Sequence, residues 1–179
     1  MPSGGDRNSK AEPAIYVGVD PGLGITGYGV LEYNGGKIAL KEAGCIRTTR
    51  NLPLEQRLIE IYSGLSEVIE EFHPDEVVIE DLYSHYRHPK TAIIMGHARG
   101  AVFLSAAKSK VPVKSYGATM IKKSLTGNGR ASKIQVQHMI KNKLGLKEIP
   151  EPPDVADALA AAMCHINHLN NNLSAEKDN

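Results

Sequence analysis

Behind a polar opening stretch, the first patterned segment is Ala14–Val19, a tight apolar run that ends on an acid, Asp20. A short apolar run without helical spacing reads as a buried strand, and Pro21-Gly22 turns the chain after it. Thr26–Tyr33 and Lys37–Cys45 flank Asn34-Gly35-Gly36. Asn and Gly accept the positive φ of a tight turn, so these segments predict a hairpin. The period then changes. Leu54, Leu58, Ile61, Leu65, Val68, Ile69 and Phe72 recur at three- and four-residue spacing, the stripe of an amphipathic helix, and Pro74 ends it. Val77–Ile79 is a second buried strand, closed by Glu80. Thr91–Ser109 predicts a helix rich in small residues, and Val111–Ser115 a further strand. Helices over Ala118–Leu125 and Ser132–Leu144 flank a Gly127-Asn128-Gly129 loop. After Pro150, Pro152 and Pro153 comes a last helix, Asp154–His168.

The order βββαβαβα plus further helices predicts an α/β fold. Three antiparallel strands begin a mixed five-stranded sheet, parallel βα units extend it, and helices cover both faces. Residues 14–169 are expected to form a single domain, with 1–13 a disordered leader and 170–179 a flexible tail. With 179 residues, 41% hydrophobic and 23% charged, the chain can bury its own core without disulfide or metal. Cys45 and Cys164 stand alone with no CxxC, which argues against a disulfide framework and a cysteine-ligated zinc. No apolar run reaches the roughly 20 residues of a membrane helix, and Met1–Lys10 lacks the apolar core of a secretory signal. A cytoplasmic protein without a membrane partner is expected.

Charge changes this picture. The net charge is +1, yet residues 82–147 carry thirteen Lys or Arg and no Asp or Glu. Such a stretch points to a polyanionic partner, foremost nucleic-acid phosphate, unless the acidic remainder neutralises it on folding.

The carboxylates suggest the chemistry. Asp20 and Glu80 each follow an apolar strand, and in open α/β sheets ligand sites form beyond the carboxyl ends of strands. Asp154 and Asp157, three apart, share one helix face. Four carboxylates from three segments meeting in one cleft repel one another, and a hard divalent cation relieves that repulsion. Oxygen-only donors suit Mg²⁺ or Mn²⁺ rather than Zn²⁺, and two such ions about 3.5–4 Å apart clamp a phosphodiester. Each acid also has a plainer reading: Asp20 as a turn residue, Glu80 as a solvated strand end, Asp154 as a helix N-cap, Asp157 as a partner of the helix dipole.

These residues also carry a resemblance. Val17-Gly18-Val19-Asp20-Pro21-Gly22, Thr26-Gly27-Tyr28-Gly29-Val30, Gly44-Cys45-Ile46-Arg47-Thr48, Glu80, Gly96-His97-Ala98-Arg99-Gly100, Gln135-Val136-Gln137-His138-Met139 and Asp154-Val155-Ala156-Asp157-Ala158-Leu159-Ala160 closely resemble RuvC-type Holliday-junction resolvases. The order and spacing hold over about residues 15–168. The resemblance implies a ribonuclease-H-like fold and a homodimeric endonuclease that resolves four-way DNA junctions by paired symmetric cuts. It implies two Mg²⁺ per site, with Mn²⁺ substituting, water as nucleophile, and a branch-migration motor as a further partner. The metal-binding and catalytic positions fall on Asp20, Glu80, Asp154 and Asp157, with Lys133 near the scissile phosphate and Lys122 on the DNA backbone. Tyr83 matches an aromatic that meets bases near the junction centre. Arg87, Lys90, Lys123 and Arg130 complete the expected DNA contacts. The leader lies outside the family's usual start, and the loop Ser84–Lys90 is one residue longer than in well-known members. Two rival readings remain open: a non-catalytic junction binder of the same fold, and a nucleotide phosphotransferase whose strands also open on an Asp-Gly turn. The second would need another phosphate loop and about twice the length.

Overall fold

The computed structural model describes residues 13–81 and 89–177. The elements run β1 (Ala14–Asp20), β2 (Ile25–Asn34), β3 (Lys37–Arg47), α1 (Leu54–Phe72), β4 (Glu76–Glu80), α2 (Pro89–Lys108), β5 (Val113–Tyr116), α3 (Ala118–Thr126), α4 (Lys133–Lys143) and α5 (Pro153–Lys177). One five-stranded sheet is ordered β3-β2-β1-β4-β5. The first three strands pair antiparallel; β4 joins β1, and β5 joins β4, in parallel. The predicted mixed sheet is therefore present, with β1 at its centre.

Local chemistry explains the boundaries. The β2–β3 loop is Gly35-Gly36, with φ of 54° and 90°, values glycine adopts without strain. Side chains alternate across the sheet, so one strand feeds two cores. Val17, Val19, Val30, Val77 and Ile79 pack with Ile61, Leu65 and Ile69 of α1 and Ala98 and Val102 of α2. Tyr16, Leu31 and Val78 face the other way, against Leu159, Met163 and Ile166 of α5, with α3 and α4 closing that layer. Helices cover both faces, as the pattern predicts.

Most boundaries differ from the sequence reading by one or two residues, α2 for example running Pro89–Lys108 rather than Thr91–Ser109, and three differences have clear local chemistry. β5 begins at Val113, not Val111. The Val111 N–H still closes the end of α2 by donating to the Ala106 carbonyl at 2.9 Å, and Pro112 has no N–H to give a ladder. Ser132 is the N-cap of α4 rather than its first residue; it forms a capping box with Gln135. The last helix starts one residue earlier, at Pro153, and runs to Lys177 rather than ending near His168. The expected tail 170–179 is thus helical as far as 177, and Asn170 of that extension is hydrogen-bonded to the Tyr33 hydroxyl. The expected leader falls almost entirely outside the described residues. Among the described residues no helix is long and apolar enough to cross a membrane.

Candidate active site

β1 and β4 run parallel with Val19 opposite Ile79. The next residues, Asp20 and Glu80, therefore leave the sheet side by side at the carboxyl ends of neighbouring strands. Alternation puts both on the α5 side: Tyr16 and Val78, two or four positions before them, belong to the core beneath that helix.

Three glycines bring α5 down to them. Gly18 pairs with Gly29, and Asp20 with Gly27, across β1 and β2. A Cβ on Gly18 would sit 1.9 Å from the Ala158 carbonyl oxygen, one on Gly27 2.2 Å from that of Asp154, and one on Gly29 2.3 Å from Leu159 Cδ2. The first turns of α5 thus lie directly on strand backbone, which any side chain would prevent. Pro153 opens the helix with a fixed φ suited to a first position, so Asp154 stands inside the first turn rather than before it. The N-cap reading of Asp154 is corrected accordingly. Asp157 follows one turn on.

The electrostatics bind these acids into one site. Burial, then the charges of Asp157, Asp154 and Glu80, push the Asp20 carboxyl up to about 7, against partial relief from Lys133. Burial raises the Glu80 carboxyl too, with Asp157 adding to the shift and Lys122 and Lys133 opposing it. Lys133, at the first helical position of α4, reaches across so that its Nζ lies 2.5 Å from Asp157 Oδ2. Burial works against its charge, but the hydrogen bond to Asp157 and the charges of Asp157, Asp20 and Asp154 outweigh that and raise its pKa. A cleft of about 190 Å³ opens here, lined by Glu80, Lys122, Lys133 and Asp157 over an apolar floor of Ile121, Val136 and Ala160.

Donor chemistry at this point suits a hard cation: oxygens only, with burial first and mutual repulsion second raising the Asp20 carboxyl to about 7. As they stand, no three Asp, Glu, His or Cys side chains among the described residues are gathered tightly enough to hold a metal ion. The Lys133 ammonium supplies the positive charge beside Asp157.

The other expected contacts divide. Lys122 joins the cleft. Lys123, its neighbour in sequence, lines a separate cleft with Lys143, Cys164, Asn167 and His168, so it does not share the carboxylate site. Arg130 is exposed in the α3–α4 loop, its amide tied to Asn128 Oδ1 at 2.9 Å. Lys90 is exposed in the first turn of α2. Tyr83 and Arg87 lie outside the described residues. Composition and spacing missed the glycine platform; its signal was present as Gly18, Gly27 and Gly29 inside strands, where glycine marks close backbone approach.

A family model described as crossover junction endodeoxyribonuclease RuvC matches residues 16–165. The protein of that name from Rhodopirellula baltica is 50% identical over 148 residues, 83% of each chain. Its counterpart from Thermotoga maritima is 48% identical over 149 residues, 83% of this chain and 88% of that one. The solved structure of Thermus thermophilus RuvC in complex with a Holliday junction substrate superposes with a TM-score of 0.84 at 35% identity, covering 89% of this chain and 96% of that one. The yeast mitochondrial resolvase Ydc2, at 14% identity and a TM-score of 0.61, shares the fold. Strand order, the acids at the strand ends and these likenesses agree: the chain belongs to the RuvC family of crossover junction endodeoxyribonucleases.

Proposed function

We propose that this chain is a structure-specific DNA endonuclease that resolves four-way junctions by paired symmetric hydrolytic cuts. The observation that supports the reading is that Glu80, Asp157, Lys122 and Lys133 line one cleft at the sheet edge, while the charges of Asp157, Asp154 and Glu80 add to burial in raising the Asp20 carboxyl to about 7. A pure DNA binder gains nothing from acids beside phosphate.

In this reading Asp20, Glu80, Asp154 and Asp157 hold two Mg²⁺, with Mn²⁺ able to substitute. Bound there, divalent cations supply activation of the attacking water and stabilisation of the leaving 3′ oxygen. The chain's own residues do the rest. Asp20 must give up its proton to become a ligand. Lys133, already held by Asp157 at 2.5 Å, exchanges that partner for the scissile phosphate and neutralises charge developing on its oxygens. Lys122, on the same cleft, holds the adjoining backbone phosphate. No protein nucleophile is required.

The substrate has twofold symmetry, and two opposed strands must be cut, so the working species is a C2 homodimer. An apolar face on α1 and α2 supports this: Ile59, Ile93, Phe103 and Leu104 are exposed there, around a cleft lined by Leu58, Tyr62, His97 and Ala101. Family likeness adds the expectation of a branch-migration motor as partner.

The direct test uses a synthetic four-way junction and a plain duplex, each with and without Mg²⁺. Symmetric nicks only in the junction, and only with the ion, are expected. The Asp20→Asn variant is expected to keep junction binding within about twofold and to lose cleavage by at least roughly a hundredfold, the scale of a lost catalytic electrostatic group. Cleavage retained in that variant removes Asp20 from the site.

A further inference from the structure

We infer that Arg99 is a positioning residue for Glu80: from α2 it clamps the end of β4, and so governs cation affinity and turnover rather than DNA affinity. The inference rests on the reading of Glu80 as a metal carboxylate.

Arg99 belongs to the longest acid-free stretch of the chain, where sequence reasoning counts it with cations facing phosphate. The structure gives it another task. Its side chain is only 12% exposed. Nη1 donates to the main-chain carbonyl of Glu80. Nη2 donates to Asp81 Oδ1 at 3.0 Å and to Ser115 Oγ at 2.8 Å. The guanidinium carbon lies 5.1 Å from the centre of the Phe103 ring, one turn along the same helix. One rigid fork thus ties α2 to the last residue of β4, to the residue after it and to β5.

The geometry separates this role from direct catalysis. Ser115 alternates with Tyr116, and Tyr116 faces α5, where its hydroxyl meets His165 Nδ1 at 2.7 Å. Arg99 therefore grips the strand ends from the α1–α2 side, opposite the face that carries the Glu80 carboxylate. It reaches Glu80 through the backbone. The cations that act on the carboxylate itself are Lys122 and Lys133. The clamp sits where the ladder needs help. The β1–β4 pairing ends at Val19 opposite Ile79, one residue short of Glu80. Beyond Glu80 the chain is held to β5 by the Asp81 N–H donating to the Tyr116 carbonyl at 2.9 Å. A largely buried guanidinium costs free energy unless its donors are satisfied. Here both terminal nitrogens are engaged, by three acceptors at separate positions, an arrangement that suits the planar fork of Arg and not the single ammonium of Lys. A carboxylate that must meet an ion tolerates little drift, since misplacement of about 1 Å costs on the order of a hundredfold in rate.

The test uses the full chain with Arg99→Gln and Arg99→Lys, beside Glu80→Gln. Three quantities are read: junction affinity without divalent ion, single-turnover cleavage with Mg²⁺, and Mn²⁺ affinity of the DNA-free protein by calorimetry. Arg99→Gln is expected to lower the cleavage rate by roughly 10–100-fold and weaken Mn²⁺ binding several-fold, with junction affinity within about twofold. Arg99→Lys is expected to recover less than half of the lost rate on a logarithmic scale. Wild-type turnover and Mn²⁺ affinity in Arg99→Gln overturn the inference, as does a loss confined to junction affinity. Should Arg99→Gln fail to fold, Ser115→Ala and Asp81→Asn each remove one acceptor; a rate drop of about two- to fivefold at unchanged junction affinity supports the clamp, and no drop in either overturns it. Glu80→Gln keeps the two readings apart: if it cuts like wild type, the assignment of Glu80 falls; if it is inactive while Arg99→Gln is normal, only the clamp does.

Discussion

At the scale of single residues, the burial of Asp20 and the acids around it set a stability cost that depends on pH. Its carboxyl lies near 7 folded and near 3.8 in an unfolded chain. Below about pH 4 both states hold the proton. Between there and 7 the folded state keeps it and the unfolded state does not, so the contribution to stability is present at low pH and is lost as pH rises through 7. The metal-free protein should lose thermal stability over that range because of this group, and Asp20→Asn should remove that part of the slope. At pH 8 without divalent ion the variant should melt higher by about 3–8 °C, on the order of 1–3 kcal/mol for a chain of this size. Saturating Mg²⁺ should raise the wild type and narrow the gap. Calorimetric melting of both proteins at pH 5 and pH 8, with and without the ion, checks this; a wild type that melts above the variant at pH 8 without metal contradicts it. Asp20 and Glu80 were legible in sequence because an acid directly after an apolar run marks a strand end. Asp154 was legible as a residue but not in its role, since a helix start two residues after Pro152 reads equally well with Asp154 as cap or as first-turn acid.

At the scale of elements, α5 is held at a height fixed by glycines, and this height places Asp154 and Asp157 over the strand ends. Gly27→Ala should push the Asp154 backbone away, because the new Cβ would overlap its carbonyl at 2.2 Å. Overpacking of this kind costs roughly 1–3 kcal/mol, and displacing Asp154 and Asp157 together should lower cleavage by about a hundredfold or more. Gly64→Ala is the matched control. The nearest atoms to its Cβ would be in the Ile46 side chain, from 3.0 Å, on the far side of the sheet, and α1 gains helix propensity, so activity should hold. Melting temperature and single-turnover rate on the same preparations distinguish the two; normal cleavage in Gly27→Ala would mean that α5 height is not critical. The elements themselves were readable because period-two and helical patterns alternate along the chain with turn residues between them. What the pattern missed follows from physics outside periodicity: Pro112 withholds a ladder donor from β5, and the polar residues after His168 continue a helix whose earlier turns are anchored in the core.

At the scale of the molecule, the acid-free stretch turns out to serve two purposes. Lys122 and Lys133 face the cleft, whereas Arg99 pairs with Asp81 and the exposed Lys114 with Glu76 within the same chain. Composition alone cannot separate these uses, because the pairing partners, Glu76 in β4 and Asp81 just after it, come before the stretch begins. The apolar counterpart lies on the opposite layer. Ile93 and Leu104 on α2 are 61% and 56% exposed, on the helix that also carries Arg99. If this face joins two copies, two sites act on one substrate. Placing a charge there should separate binding from pairing. Ile93→Asp with Leu104→Asp is expected to give a monomer by sedimentation at micromolar concentration, with melting temperature little changed because neither residue is buried in the single chain. On a supercoiled plasmid with an extruded cruciform, the dimer should linearise the circle by two cuts within one encounter. The monomer should leave nicked circles, since its second cut requires a separate binding event, and its overall rate should fall by tenfold or more. A double variant that remains dimeric, or a monomer that still linearises the plasmid in a single step, would place the twofold interface elsewhere and release α2 from any part in coupling the two cuts.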